Sequence, residues 1–315
     1  MLGDKKRLLS GVKPSGKQHI GNYFAAIKQF VDLQADYESY VFVADYHALN
    51  FIQNAKELTE NIIHIAKVYV AVGLNTKNTV LFKQSDISEH TELAWIFDTI
   101  TTVPYLMRAH AFKDAEAKGK EVGVGTFNYP MLMAADILLY DADIVPVGQD
   151  QKQHVEYARD TAEKFNRIFG NTFTLPKERI IEEVATIPGT DGRKMSKSYG
   201  NTIPLFGSKD EIAKAVMSIV TDSAGDSPKN VYAIHRLLKS EAELEPLYKE
   251  KAGKYKDLKE ALIEDLEERI APMREKYNTI TDEEVKRVLQ NGAEKARAIA
   301  SAKMADVRQK IGVTL

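Results

Sequence analysis

A chain of 315 residues with 44% hydrophobic and 28% charged residues has an ordinary globular composition and is long enough for two domains. Its net charge of −2 argues against a chain wholly devoted to nonspecific nucleic-acid binding, and the absence of cysteine excludes disulfides, zinc ribbons and thiolate-held iron–sulfur clusters. No apolar run approaches the roughly 20 residues that span a membrane, and the first residues lack the apolar core of a secretion signal, so the expected location is the cytoplasm.

In chain order, Leu8-Leu9 reads as the end of a strand at residues 7–10. A loop rich in Gly, Pro and Ser follows up to Asn22, and a helical pattern runs over 23–33. Free N–H groups at such a helix start, together with the positive end of its dipole, form an anion site. Gly16 and Gly21 let a phosphate approach the backbone there, and His19 and Asn22 add side-chain donors. Further strands are expected at 40–44, 79–82, 144–147 and 184–187, alternating with helices at 55–72, 89–101, 130–139 and 151–169. This alternation predicts an α/β fold, a Rossmann-like doubly wound parallel sheet with ligands at the carboxyl ends of its strands. Ser10-Gly11 and residues 45–47 stand at such ends.

From Ser208 onward strand signals nearly vanish, and helices are expected at 211–220, 229–238, 242–251, 256–277 and 282–311. The boundary falls near 201–207, giving a sheet domain over 1–201 and an all-helical domain over 202–315. That second part holds twenty Lys/Arg and twenty Asp/Glu, so any RNA binding by it must be local.

Two stretches carry chemistry. Lys194-Met195-Ser196-Lys197-Ser198 packs two cations and two hydroxyls onto a Gly-flanked loop, which suits a triphosphate; Lys194 and Lys197 are assigned to its β- and γ-phosphates, and His19 with Asn22 to the same region. Two further glycines in residues 189–193 would let such a loop close and reopen. The second stretch is helical: Tyr129, Met133, Asp136 and Tyr140 are spaced by four, three and four, hence on one face. A carboxylate inside that apolar run is costly to bury without a donor. An aromatic, a thioether and an acceptor on one face suit a flat ring carrying one N–H, and indole is donor-only. The seven histidines show no helical metal spacing, so no metal site is expected on the chain, and Mg²⁺ is expected to arrive with the nucleotide.

His19-Ile20-Gly21-Asn22 and residues 194–198 resemble the paired signatures of the class I aminoacyl-tRNA synthetases. Residues 128–140 and 145–154 closely resemble the bacterial tryptophanyl branch of that family. The resemblance implies ATP, L-tryptophan and tRNA(Trp) as substrates, a homodimer, and no membrane or DNA partner. It also implies an anticodon-reading helical domain at roughly 202–290, with the last helix, 294–311, packing back on the sheet domain. For ATP it implies Lys13, Ser15, Gly16, His19, Gly21, Asn22, Gly148, Asp150, Gln151, Lys194, Met195, Ser196 and Lys197, with Lys113 as a third cation. For the amino acid it implies Asp136, Tyr129, Met133, His47, Val145, Val147 and Gln151. Lys13 and Gln149 depart from the family pattern, where many members carry Gln and Glu.

Four other readings compete. Residues 11–18 nearly spell a P-loop, but Gln18 stands where a hydroxyl should meet Mg²⁺ and Pro14 removes an N–H donor. A small-molecule nucleotidylyltransferase would share the His-x-Gly motif but would not need the long helical region. Tyrosine is the rival amino acid, and a non-catalytic RNA-binding paralogue would not need Lys194, Lys197 and His19.

Overall fold

Residues 8–10 are buried in succession and none of residues 7–12 is exposed, as befits a strand covered on both faces. In the computed structural model, which describes residues 5–109, 112, 113, 116, 121–148, 151–180, 187–221 and 228–314, they form β1 (Arg7–Val12) at the centre of a five-stranded sheet. β1 is followed by α1 over residues 20–33, which carries a π-helical stretch Tyr23–Ile27 before regular helix resumes at Lys28–Leu33. Then come β2 (Glu38–Val43), the short α2 (Asp45–Ala48), α3 (Ala55–Ala71) and β3 (Thr79–Lys83). α4 (Glu89–Ile100), α5 (Val103–Leu106), α6 (Val124–Phe127) and α7 (Tyr129–Leu138) lead to β4 (Ile144–Val147), α8 (Lys152–Phe169) and β5 (Lys177–Ile180).

The described strands of the sheet pair in parallel, in the order β3-β2-β1-β4-β5. β2 and β3 are added on one side of β1 and β4 and β5 on the other, and this switch in strand order opens a crevice at the carboxyl ends of β1 and β4. Leu8 pairs with Ile144, but Pro146 brings no N–H to carry a ladder further.

The fifth strand corrects the sequence reading. Residues 184–186 of the expected strand lie outside the described residues, Ile187 is not in a strand, and the edge position is taken by Lys177–Ile180. Lys-Glu-Arg-Ile hides its strand character because an edge strand is kept charged, which discourages pairing with other chains. It pairs with β4 alone.

Alternate residues of β2 enter different apolar clusters. Tyr40 and Phe42 pack with Phe82, α4, α7 and α8, while Val41 and Val43 pack with Ile20, Ile27, Ile65 and Val68 on the opposite face. Each fully buried aliphatic or aromatic side chain contributes about 1.5–3 kcal/mol, so both faces must be covered for the sheet to persist.

Among the described residues five α-helices follow the 194–198 segment: α9 (Lys209–Met217), α10 (Lys229–His235), α11 (Glu241–Glu250), α12 (Tyr255–Thr279) and α13 (Asp282–Ile311). Ile212, Val216, Ile234, Leu262 and Leu266 extend the second apolar cluster. α13 begins at a capping box between Thr281 and Glu284 and ends at Gly312, with acids in its first turn and bases in its last. It lies directly on β3. A Cβ at Gly292 would stand 1.8 Å from the Leu81 carbonyl oxygen, so only glycine admits this approach. Arg297 donates to the Asp86 carbonyl at 2.7 Å and Lys303 pairs with Asp141 at 2.7 Å, fixing the rest of the helix.

Candidate active site

The loop that leaves β1 and the loop at 194–198 meet. Lys197 Nζ donates to the Ser15 carbonyl at 2.6 Å, bridging 182 positions of sequence. Gly16, which follows, has a φ of 84°, a left-handed turn. Residues 203–205 hold the two parts in register: Ile20 N–H donates to the Ile203 carbonyl and Leu205 N–H to the Gln18 carbonyl, at 3.0 and 3.1 Å.

At the helix start His19 and Asn22 cap each other. His19 Nδ1 accepts from the Asn22 N–H at 3.3 Å, and Asn22 Oδ1 accepts from the His19 N–H at 3.2 Å. Burial, and then the Lys197 charge, push His19 down to about 4, so the imidazole is neutral at pH 7. With Nδ1 used as an acceptor, the proton sits on Nε2 and makes it a donor. Gly21 is required here, since a Cβ would come within 2.8 Å of His19 Nδ1 and 3.3 Å of Met195 Sδ.

Within 194–198, Met195 is the anchor: its side chain is buried in the same apolar cluster as Ile20 and Ile27. Lys194, Lys197 and Ser198 are exposed, and the Ser196 and Ser198 hydroxyls are 2.9 Å apart. Asn201, buried and unforeseen from sequence, staples the turn. Its Nδ2 donates to Asp191 Oδ1 at 2.7 Å and to the Lys194 carbonyl at 3.1 Å, while its Oδ1 accepts from the Ser196 N–H at 2.8 Å. Of the two glycines expected to serve loop motion, Gly189 packs against Asn201 and Gly192 has a φ of 81° beside Asn230.

The second half of the site is a cavity of about 220 Å³ at the carboxyl ends of β1 and β4. Its walls include Tyr129, Met133 and Asp136 from α7, His47 from α2, Val145 and Val147 from β4, and Gly148, Gln151 and Lys13 at its edge. The Tyr129 ring lies 4.4 Å from that of His47 and 5.0 Å from that of His154. Lys13, which departs from the family pattern, places its ammonium 5.4 Å from the Tyr129 ring and 5.1 Å from the Phe51 ring. Its charge is thereby offered a cation–π partner rather than left bare beside the cavity.

Asp136 is 1% exposed and carries three donors. Oδ1 accepts from His90 Nδ1 at 2.6 Å and from Gln84 Nε2 at 2.7 Å, and Oδ2 accepts from His47 Nε2 at 2.8 Å. Burial alone would raise its pKa, but the His47 and His90 hydrogen bonds outweigh that and bring it down to about 2. An ionised carboxylate has about four acceptor sites, so three donors leave one, on Oδ2. Neither His90 nor Gln84 was legible as a site residue; they stand 46 and 52 positions from Asp136, with no local pattern to mark them.

Tyr140 corrects the helical-face reading. α7 ends at Leu138, and Asp141 with φ of 49° turns the chain, so Tyr140 falls into the core rather than onto the cavity wall. Its ring stacks on Tyr40 at 5.5 Å. Lys113 is exposed, and no contact among the described residues joins it to either loop. Gln149 and Asp150 lie outside the described residues.

A crevice at the topological switch of a parallel sheet, faced by paired cationic loops and a buried acceptor, suits nucleotide chemistry on a small substrate. Residues 3–305 match the family described as tRNA synthetases class I (W and Y), and the chain belongs to that family. The tryptophan–tRNA ligase of Fusobacterium nucleatum is 45% identical over 319 residues, covering 98% of this chain and 98% of that one. A crystal structure of the tryptophanyl-tRNA synthetase of Campylobacter jejuni complexed with ADP and tryptophan superposes with a TM-score of 0.90 at 44% identity, covering 97% of this chain and 99% of that one. The tyrosyl-tRNA synthetase of Archaeoglobus fulgidus, at 23% identity, a TM-score of 0.69 and coverage of 87% and 90%, shares the fold.

Proposed function

We infer that this chain activates L-tryptophan with ATP and transfers it to tRNA(Trp). The observation that carries this reading is the carboxylate of Asp136, held ionised in an apolar cavity with one acceptor site unfilled, opposite two loops joined by Lys197. An indole N–H fills that site. His47 Nδ1, buried without a protein partner among the described residues, is available to the amino acid as an acceptor.

The tryptophan carboxylate attacks the α-phosphorus of ATP, forming tryptophanyl-adenylate as the bond to pyrophosphate breaks. Negative charge then gathers on the departing pyrophosphate. Lys194, Lys197 and the Nε2–H of His19 stand where it accumulates, and Lys113 is a candidate third cation. Fixed donors of this kind lower the barrier because they need no reorganisation as the charge develops. The terminal ribose hydroxyl of tRNA next attacks the acyl carbon and releases AMP. Mg²⁺, held by phosphate oxygens and water, is expected to arrive with ATP.

The same reading makes residues 202–290 an anticodon-reading domain and the protein a cytoplasmic homodimer. Trp95 on α4, Val103 on α5 and Met107 at the C-cap of α5, 70%, 60% and 44% exposed, are apolar surface that a subunit interface would bury. No helix of the described residues is long and apolar enough to cross a membrane.

Amino-acid-dependent exchange of labelled pyrophosphate into ATP tests the reading. Exchange with tryptophan and not with tyrosine is expected; exchange with tyrosine alone would overturn the cavity assignment, and none with either would overturn the activity.

A further inference from the structure

We propose that His90, which does not touch the cavity, is a positioning residue for amino-acid specificity, acting through a Tyr140–His90–Asp136 relay that aims the unfilled acceptor of Asp136 at the substrate ring. The proposal rests on the tryptophan reading above and adds a residue to it.

His90 is fully buried and absent from the cavity wall, whereas Asp136 and His47 line it. Both of its ring nitrogens are engaged. Nδ1 donates to Asp136 Oδ1 at 2.6 Å, and Nε2 accepts from the Tyr140 hydroxyl at 2.9 Å. Burial, and then the charge of Asp136, raise the Tyr140 pKa, so that hydroxyl keeps its proton and serves as the donor. The tautomer follows: Tyr140 fills Nε2, and Nδ1–H is left to face the carboxylate.

Orientation of the imidazole is fixed by packing as well. Phe42, Phe82 and Tyr140 surround it with ring centroids 6.1, 6.2 and 5.5 Å away. In so apolar a setting a chain of hydrogen bonds is strong when complete and costly when a member is missing. With Gln84, His90 saturates Oδ1, so the carboxylate cannot turn to offer that oxygen to a ligand. Oδ2, which also accepts from His47, is the oxygen left with capacity.

The test compares tryptophan with its analogue in which sulfur replaces the ring N–H, by the ratio of their kcat/KM values in pyrophosphate exchange. His90→Asn places its amide nitrogen where Nδ1 stands and restores the donor to Asp136; His90→Gln places it where Nε2 stands and does not. His90→Asn should keep the wild-type ratio within about threefold, and His90→Gln should lower it by about tenfold or more, with the ATP KM unmoved. Tyr140→Phe, which deletes one oxygen atom from the far end of the relay, should lower the ratio by a smaller factor and carries the test if His90→Gln does not fold. A histidine that only supported the core would slow both amino acids alike and leave the ratio unchanged, and that result in either folded variant overturns the proposal. Asp136→Ala separates the two failures. If it too keeps the wild-type ratio, the tryptophan reading of Asp136 falls; if it loses the ratio while His90→Gln keeps it, only the role of His90 falls.

Discussion

Asp136→Ala should raise the KM for tryptophan by about a hundredfold while leaving the KM for ATP within about twofold, because a hydrogen bond to a charged acceptor is worth about 1.5–3 kcal/mol. The wild-type carboxylate is ionised and 1% exposed, so a ligand donor meets it without competition from bulk water. The substitution also strands donors on His47, His90 and Gln84 in a buried place. Breaking such a network by removing its anion costs about 3–5 kcal/mol of stability, so the KM effect should be read below the unfolding temperature of the variant. Asp136→Asn keeps the shape and one acceptor oxygen and should fall between wild type and alanine. Steady-state exchange kinetics with each substrate varied in turn decide the matter. Equal rises in both KM values would make Asp136 a structural carboxylate.

Replacing Lys194 and Lys197 together with alanine should lower kcat for adenylate formation by at least about a thousandfold with tryptophan binding nearly intact. One well-placed donor to a developing anion is worth about 2.7–4 kcal/mol of barrier. Both side chains are exposed, so neither is needed to fill the core. Lys197 also ties the 194–198 loop to the Ser15 carbonyl, and its loss frees that end of the loop. Met195 and Asn201 still anchor the remainder, so the fold should survive. Single-turnover kinetics separate the chemical step from binding, and wild-type turnover in the double variant would remove this loop from the mechanism.

Much of the fold could be read from the chain because the strands buried in the two apolar clusters are apolar runs bounded by turn residues. β1, β2, β3 and β4 fall where those runs lie, within one or two residues at each end. β5 escaped because its open edge rewards charge, which erases the signal, whereas β3, the other edge strand, lies beneath α13 and keeps its apolar run. The helices of the last third were legible as helical patterns, the last of them, over 282–311, at the bounds the structure gives it between Thr281 and Gly312. Asp136 stood out because a carboxylate in an apolar run demands donors. Two of its donors, His90 and Gln84, did not, since pairing between positions 46 and 52 residues apart leaves no periodic trace, and nor did the junction of Lys197 with Ser15. Tyr140 misled for a local reason: helical spacing continues on paper past Leu138, whereas the backbone turns at Asp141.

A crystal of the protein soaked with tryptophan and a non-hydrolysable ATP analogue gives the most direct measurement. The indole nitrogen should lie within hydrogen-bond distance of Asp136 Oδ2, with the triphosphate between residues 13–22 and the side chains of Lys194 and Lys197. Density for the nucleotide remote from residues 194–198, or an indole turned away from Asp136, would contradict the convergence of the two halves of the site on one reaction.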